Sequence, residues 1–256
     1  MLIRARRALR SRLPVRLRAA IARMRRDAVD RARGHRQLLV RRGEAAEAAA
    51  FPHEICALSQ DIRRSAFWEG KLANIRLGAA RLDGVVIAPG AIFSFWALVG
   101  APNAAAGFAL GRAIRNDATG GEIGGGLCQL SGIAYELGLR AGLGVAERHA
   151  HSRDLYAEHE RFTPLGLDAT VVWPWKDLRL VNRLPVPLCL RFAVTGMTLS
   201  ASASAAVPLA GCTLDIARED GPDGRAVRVS RLAADGTRAA VSADLYSVDQ
   251  PPSAAR

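Results

Sequence analysis

The chain has 256 residues, half of them hydrophobic, enough for one good-sized core with appendages. Its net charge of +12 is not spread evenly: residues 1–42 hold fifteen Arg against Asp27 and Asp30, and the remainder is near neutral, so the pI near 10.9 does not mark the rest of the chain as a polyanion binder. No run of about eighteen apolar residues is present to span a membrane as a helix, and Cys56, Cys128, Cys189 and Cys212, scattered without a Cys-x-x-Cys pair, fit neither a disulfide scaffold nor a zinc ribbon. The opening residues carry positive charge with no apolar segment behind it, which predicts a cytoplasmic protein.

Within the basic arm, Leu13, Leu17, Ala20, Ile21 and Met24 follow helical spacing behind Pro14, with arginines over much of the remaining surface. This predicts a basic amphipathic helix. Two roles are open to it: contact through residues 1–42 with an anionic membrane surface or nucleic acid, where each basic residue near a bilayer contributes ~1 kcal/mol, or simple packing on the domain as a solvated helix. A small-residue linker follows, and the domain is expected to begin near Phe51.

Apolar Leu72, Ile75, Leu77, Ala79 and Leu82 predict a helix over 69–82 closed by Gly84. Residues 85–87 read as a strand, Pro89-Gly90 as a turn, and 92–96 as a second β segment whose Phe93, Phe95 and Trp96 either pack in the core, the favoured reading, or wall a cleft. Residues 107–115 lead to a glycine-rich stretch, after which Leu127, Leu130, Ile133, Ala134, Leu137 and Ala141 predict a one-faced helix ending near Gly142 and Gly144. Strands are expected at 144–148, 168–173 and 177–181, a hairpin at 188–194 and 197–205, and a meander over 213–218, 225–232 and 239–248. Helices and strands do not alternate regularly, so the fold class is α+β: a single mixed domain over 51–206, mostly antiparallel, with a helical arm over 1–50 and a small β extension over 207–256.

Chemistry concentrates at Gly120-Gly121-Glu122-Ile123-Gly124-Gly125-Gly126-Leu127-Cys128-Gln129-Leu130-Ser131. Five glycines in seven residues free the backbone for φ > 0 and close approach. Cys128 then falls in the first turn of the helix, where unpaired N–H groups and the macrodipole favour a thiolate. About twenty residues on, His149 and His151 stand two apart and share a face if the strand before them persists.

The Gly124-Gly125-Gly126-x-Cys128-Gln129-x-Ser131 block, with Tyr135 behind it, resembles the signature of the VanW-like family, named for an accessory product of vancomycin-resistance gene clusters. The resemblance extends over roughly 51–206, through Lys71-Leu72-Ala73-Asn74-Ile75, Phe93-Ser94-Phe95-Trp96, the histidine segment 147–152, Asp168-Ala169-Thr170-Val171 and 175–182. It implies a bacterial antibiotic-resistance setting, with cell-wall precursor peptides or the glycopeptides that bind them as the substrate class, and it favours His151 over His149 as the working histidine. It implies no particular reaction.

The residues themselves admit three chemistries. In the first, a cysteine-dependent hydrolase or acyltransferase, Cys128 is the nucleophile, His151 the base and Asp168 the group that fixes the imidazole, an order analogous to papain-like enzymes. Gly124, Gly125, Gly126, Gln129, Ser131 and His149 would then bind substrate, with N–H groups at 127–129 and the Gln129 amide holding the oxyanion. In the second, Cys128, His149, His151 and Asp168 ligate a metal, although the spacing offers no tight clamp. In the third, the glycine loop is an anion-binding nest in a module without chemistry, with Trp173, Trp175, Lys176 and Asp177 lining the same cleft. No cofactor and no resident metal are expected.

Overall fold

The computed structural model describes residues 13–41, 46–64, 66–115, 118–154 and 161–248; the outer part of the basic arm, part of the linker and the tail 251–256 lie outside the described residues. Helix α1 (Val15–Ala32) and the single turn α2 (His35–Leu38) precede strand β1 (His53–Asp61). Helix α3 (Trp68–Leu82) leads into β2 (Val85–Ile87), β3 (Ile92–Ser94) and the short α4 (Phe95–Val99). A hairpin of β4 (Leu110–Arg115) and β5 (Ala118–Ile123) delivers the chain to α5 (Leu127–Arg140). Then come β6 (Gly144–Glu147), β7 (Arg153–Asp154), β8 (Arg179–Val181), the hairpin β9 (Leu188–Thr195) and β10 (Thr198–Ala205), and the meander β11 (Thr213–Gly221), β12 (Gly224–Leu232) and β13 (Arg238–Val248).

The strands form sheets ordered β1-β10-β9-β2, β11-β12-β13-β7, β3-β8-β6 and β4-β5, antiparallel throughout except where β7 joins β13. The class is α+β. Helix α5 is its axis, packed against α3, β1, β10, β6 and β11. Every residue from Leu127 to Leu139 is buried except Cys128. The apolar stripe read from the sequence is therefore too narrow a description. Small residues on the other faces let neighbours close in, as at Gly138, where an added Cβ would lie 2.4 Å from Leu180 Cδ1.

Three local expectations are corrected. Residues 95–96 open helix α4 instead of extending a strand, because Ser94 Oγ accepts a hydrogen bond from Ala97 N and the Asp177 carboxylate accepts one from Trp96 N, satisfying two orphan donors of the first turn. Phe93, Phe95 and Trp96 are core residues all the same. Residues 168–173 form no strand; Ser131 Oγ bonds Ala169 O at 2.6 Å and Thr170 N donates to His149 O at 2.7 Å, so tertiary contacts replace a ladder. Gly120 and Gly121 lie within β5, and only Gly124, Gly125 and Gly126 make the turn into α5.

Helix α1 docks by its polar side. Ala22, Arg26 and Asp30, four residues apart, share the surface turned to the domain, while Leu17 (47% exposed) and Met24 (62% exposed) point away. Arg26 clasps both Glu147 carboxylate oxygens at 2.7 and 2.9 Å, and buried Asp30 takes two bonds from Arg179 at 2.6 and 2.8 Å. Arg179 Nε also bonds Asp177, which accepts from Ser94 Oγ. Removing one member of a buried ion pair typically costs ~3–5 kcal/mol, because the other is left uncompensated. Asp30→Ala is expected to release α1 while the rest of the chain stays folded. Limited trypsinolysis will read this as faster cleavage at the α1 arginines with an unchanged main thermal transition; equal cleavage in both proteins would show that other contacts hold the helix.

Candidate active site

Site geometry starts at the turn before α5. Gly124 and Gly126 have φ of 83° and 99°, and a Cβ on Gly125 would sit 2.2 Å from Gly111 O, so the turn is pressed onto the β4–β5 hairpin. This places half-buried Cys128 in the first turn of α5, its Sγ 3.8 Å from Val171 O.

Strand β6 ends at Glu147, and the two histidines part. His149 turns back so that Nε2 meets Glu147 Oε1 at 3.0 Å. His151 turns to Asp168: its Nδ1 lies 2.6 Å from Oδ2, and its backbone N–H donates to the same oxygen at 2.7 Å. That leaves Nε2, the ring nitrogen Asp168 does not hold, to act on the Cys128 thiol. The other Asp168 oxygen accepts from Tyr246 OH at 2.5 Å and Arg148 Nη2 at 3.0 Å. Arg148 is also bonded to Asp244, Asp168 O, Gly166 O and Tyr246 OH, and lies over the Tyr135 ring.

Charges follow from these contacts. Burial alone would raise the Asp168 pKa, but hydrogen bonds and positive charge from His151 and Arg148, with the Tyr246 bond, hold it well below the usual carboxylate range. Burial opposes a charged His151, yet bonds to Asp168 and Cys128 outweigh it and raise the imidazole to about 10. Burial likewise opposes a Cys128 thiolate, and the bond and charge of His151 still bring the thiol below its ordinary value. Elsewhere burial wins: Cys56 is pushed up to about 11, and Cys189 also rises. The arrangement favours a thiolate–imidazolium pair at Cys128 alone among these three.

Cys128, His151 and Asp168 thus converge, whereas the other predicted site residues do not point at the thiol. Gln129 is buried and its Nε2 donates to Asp61 O at 2.9 Å; Ser131 is buried and fastens α5 to Ala169. Leu127 N and Gln129 N donate to Gly124 O and Gly126 O, so of the three N–H groups at 127–129 only that of Cys128 is not engaged by the turn among the described residues. Asp177 is buried beneath α4, and Trp173 stacks edge-on against Trp96. Trp175 lines a cavity of about 570 Å³ between α1 and the domain, shared with Ile21, Arg26, Glu147 and Arg179; the three converging residues lie outside its lining. Among the described residues no group of three or more His, Cys, Asp or Glu side chains is placed to hold a metal. Arg148, Tyr246 and Asp244 were not foreseen. Arg148 stood inside the histidine segment, but only the alternation of β13 hinted that Tyr246 faces inward.

A family profile described as "VanW like protein" matches residues 70–203. The chain is 32% identical over 116 residues to "Vancomycin B-type resistance protein VanW" of Enterococcus faecalis (strain ATCC 700802 / V583), covering 45% of this chain and 42% of that one. It is 33% identical over 118 residues to "Uncharacterized protein YoaR" of Bacillus subtilis (strain 168), covering 46% and 37%. The match therefore spans about two fifths of each curated relative's length. No solved structure matches the chain significantly.

Tyr246→Phe deletes one of the four hydrogen bonds on Asp168, a bond to a charged group worth roughly 1.5–3 kcal/mol. A carboxylate depressed in the folded state adds stability above its unfolded pKa and loses it as pH falls through the folded value. The variant's folded pKa moves up, so its thermal stability is expected to decline at higher pH on acidification than that of the parent; superimposable acid profiles would mean that Tyr246 does not support the carboxylate.

Proposed function

The chain belongs to the VanW-like family, and from that premise we propose that it is a cysteine-dependent hydrolase or acyltransferase acting on amide or ester bonds of peptides of the cell-wall precursor type. The observation that carries this reading is the convergence of His151 and Asp168 on Cys128, the one residue of 127–139 that is not buried. The resistance named for the enterococcal relative supports the substrate class.

In this reading the Cys128 thiolate attacks the carbonyl carbon, forming a C–S bond and an oxyanion that the Cys128 N–H stabilises; one such donor is typically worth ~3 kcal/mol in the transition state. His151 Nε2 gives its proton to the departing amine or alkoxide as that bond breaks, leaving a thioester. Water, or an acceptor amine, then loses a proton to His151 and attacks the thioester, and the acyl product leaves with the thiolate regenerated. Asp168 keeps the ring oriented and its charge balanced throughout.

Without a known substrate, the thiol itself is the reporter. Iodoacetamide should alkylate Cys128 ahead of Cys56, Cys189 and Cys212 at pH values well below the free-thiol value of roughly 8.5. That selectivity should disappear in His151→Ala. Labelling of Cys128 no faster than the other three, mapped by mass spectrometry, removes the nucleophile.

We also infer a peripheral contact between α1 and an anionic bilayer. Its support is the outward stripe of Leu17 and Met24, with Arg16, Arg23 and Arg31 exposed beside it. Leu17→Glu combined with Met24→Glu is expected to weaken sedimentation with phosphatidylglycerol vesicles by roughly tenfold or more, from the transfer free energy of two apolar side chains. Binding to duplex DNA that survives both changes, without vesicle binding by the parent, would assign the arm to nucleic acid instead.

A further inference from the structure

Lys71 is a partly buried cation that has no carboxylate partner among the described residues. Its aliphatic stem packs on the turn before α5, where a Cβ added to Gly126 would lie 2.5 Å from Lys71 Cγ. Its Nζ sits 5.8 Å from the centroid of the Phe162 ring. The next residue, Thr163, places its Oγ1 3.4 Å from where a Cβ on Gly132 would be, one turn beyond Cys128. Lys71 at Gly126 and Thr163 at Gly132 thus touch α5 on either side of Cys128 in sequence, with Phe162 next to both.

A second cation stands at the same turn. Arg112 lies on β4 opposite Gly121, and its backbone oxygen comes within 2.8 Å of a Cβ built on Gly125. Its Nε is buried without a hydrogen-bond partner. Among the described residues neither Lys71 nor Arg112 is matched by an acidic side chain. Burial first, then the positive charges of Arg112 and Arg63, depress the Lys71 pKa to about 8. The two cations stand at the turn that opens a fourteen-residue helix and repel one another, and among the described residues no carboxylate offsets that repulsion. An anionic ligand group would. Guanidinium and ammonium together suit a carboxylate, taking one as a fork and the other as a point charge.

We propose that Lys71 and Arg112 form a carboxylate-binding subsite beside Cys128, so that the preferred substrates are acyl compounds with a free carboxylate close to the scissile bond. The inference rests on Cys128 being the nucleophile, and Phe162 supplies the apolar wall next to the charge.

Two alkylating reagents of nearly equal size test it in the full chain: iodoacetate, a carboxylate, and iodoacetamide, its neutral counterpart. The ratio of their rates at Cys128 should exceed the ratio at Cys56 and Cys212 by about tenfold or more at low ionic strength, the scale of local electrostatic focusing. Lys71→Met and Arg112→Met should each lower it toward the control ratio, and added salt should do the same. A Cys128 selective for iodoacetamide but with the control ratio overturns the subsite while leaving the nucleophile standing. Slow labelling by both reagents overturns the nucleophile, and the subsite is then decided in Cys128→Ser by acetylation of Lys71 with acetic anhydride. N-acetylglycine, and not N-acetylglycinamide, should protect Lys71 there. Protection by neither, or by inorganic phosphate alone, overturns the carboxylate assignment.

Discussion

The Asp168 carboxylate is the point at which this structure is tied together. It lies in a segment with no regular secondary structure, and the segment carrying His151 has none either, so no backbone ladder sets the distance between them. Four hydrogen bonds do that work: two from His151, one from Arg148 and one from Tyr246. Each donor comes with an attachment elsewhere. Arg148 reaches Asp244 and the Tyr135 ring of α5, and Tyr246 belongs to the last strand. A half-buried carboxylate with this many donors is held ionised, and its charge helps keep the neighbouring imidazole protonated.

Much of the fold was legible because it is periodic. The α3 and α5 helices, the β9–β10 hairpin and the meander come within a few residues of their sequence patterns. What was not legible depends on partners far away in the chain. The run around Phe93 and Trp96 has strand-like composition, and it becomes a helix after Ser94 through a carboxylate more than eighty residues distant. Residues 168–173 have strand composition too, and they are held open by Ser131 and the His149 carbonyl. The site was half readable: a cysteine at a helix start, a histidine pair and an aspartate can be picked out by residue type. Arg148 and Tyr246 cannot, since nothing in a tyrosine near the end of a strand announces an aspartate 78 residues earlier.

Helix α1 inverts the usual expectation for an amphipathic helix, whose apolar side normally faces the core. Here two ion pairs override it. Arg26 joins Glu147, the residue just before Arg148, and Asp30 joins Arg179, which is bonded to the aspartate that caps α4. The arm is therefore coupled by charge to the strand from which the histidine segment departs, while Leu17 and Met24 stay exposed. The region matched to the family, 70–203, contains neither this helix nor the last strand, yet both make contacts with the segment carrying Arg148 and His151 or with its neighbours.

Tyr246 and Asp244 also set an order in time. During synthesis Cys128, His151 and Asp168 emerge long before them, so the nascent chain holds a thiol whose histidine is not yet anchored through a fully bonded aspartate. Until β13 pairs with β12, Arg148 lacks one of its two carboxylates and Asp168 one of its donors. Pairing of β13 with β12 is thus the step that completes the set of groups around the Asp168 carboxylate.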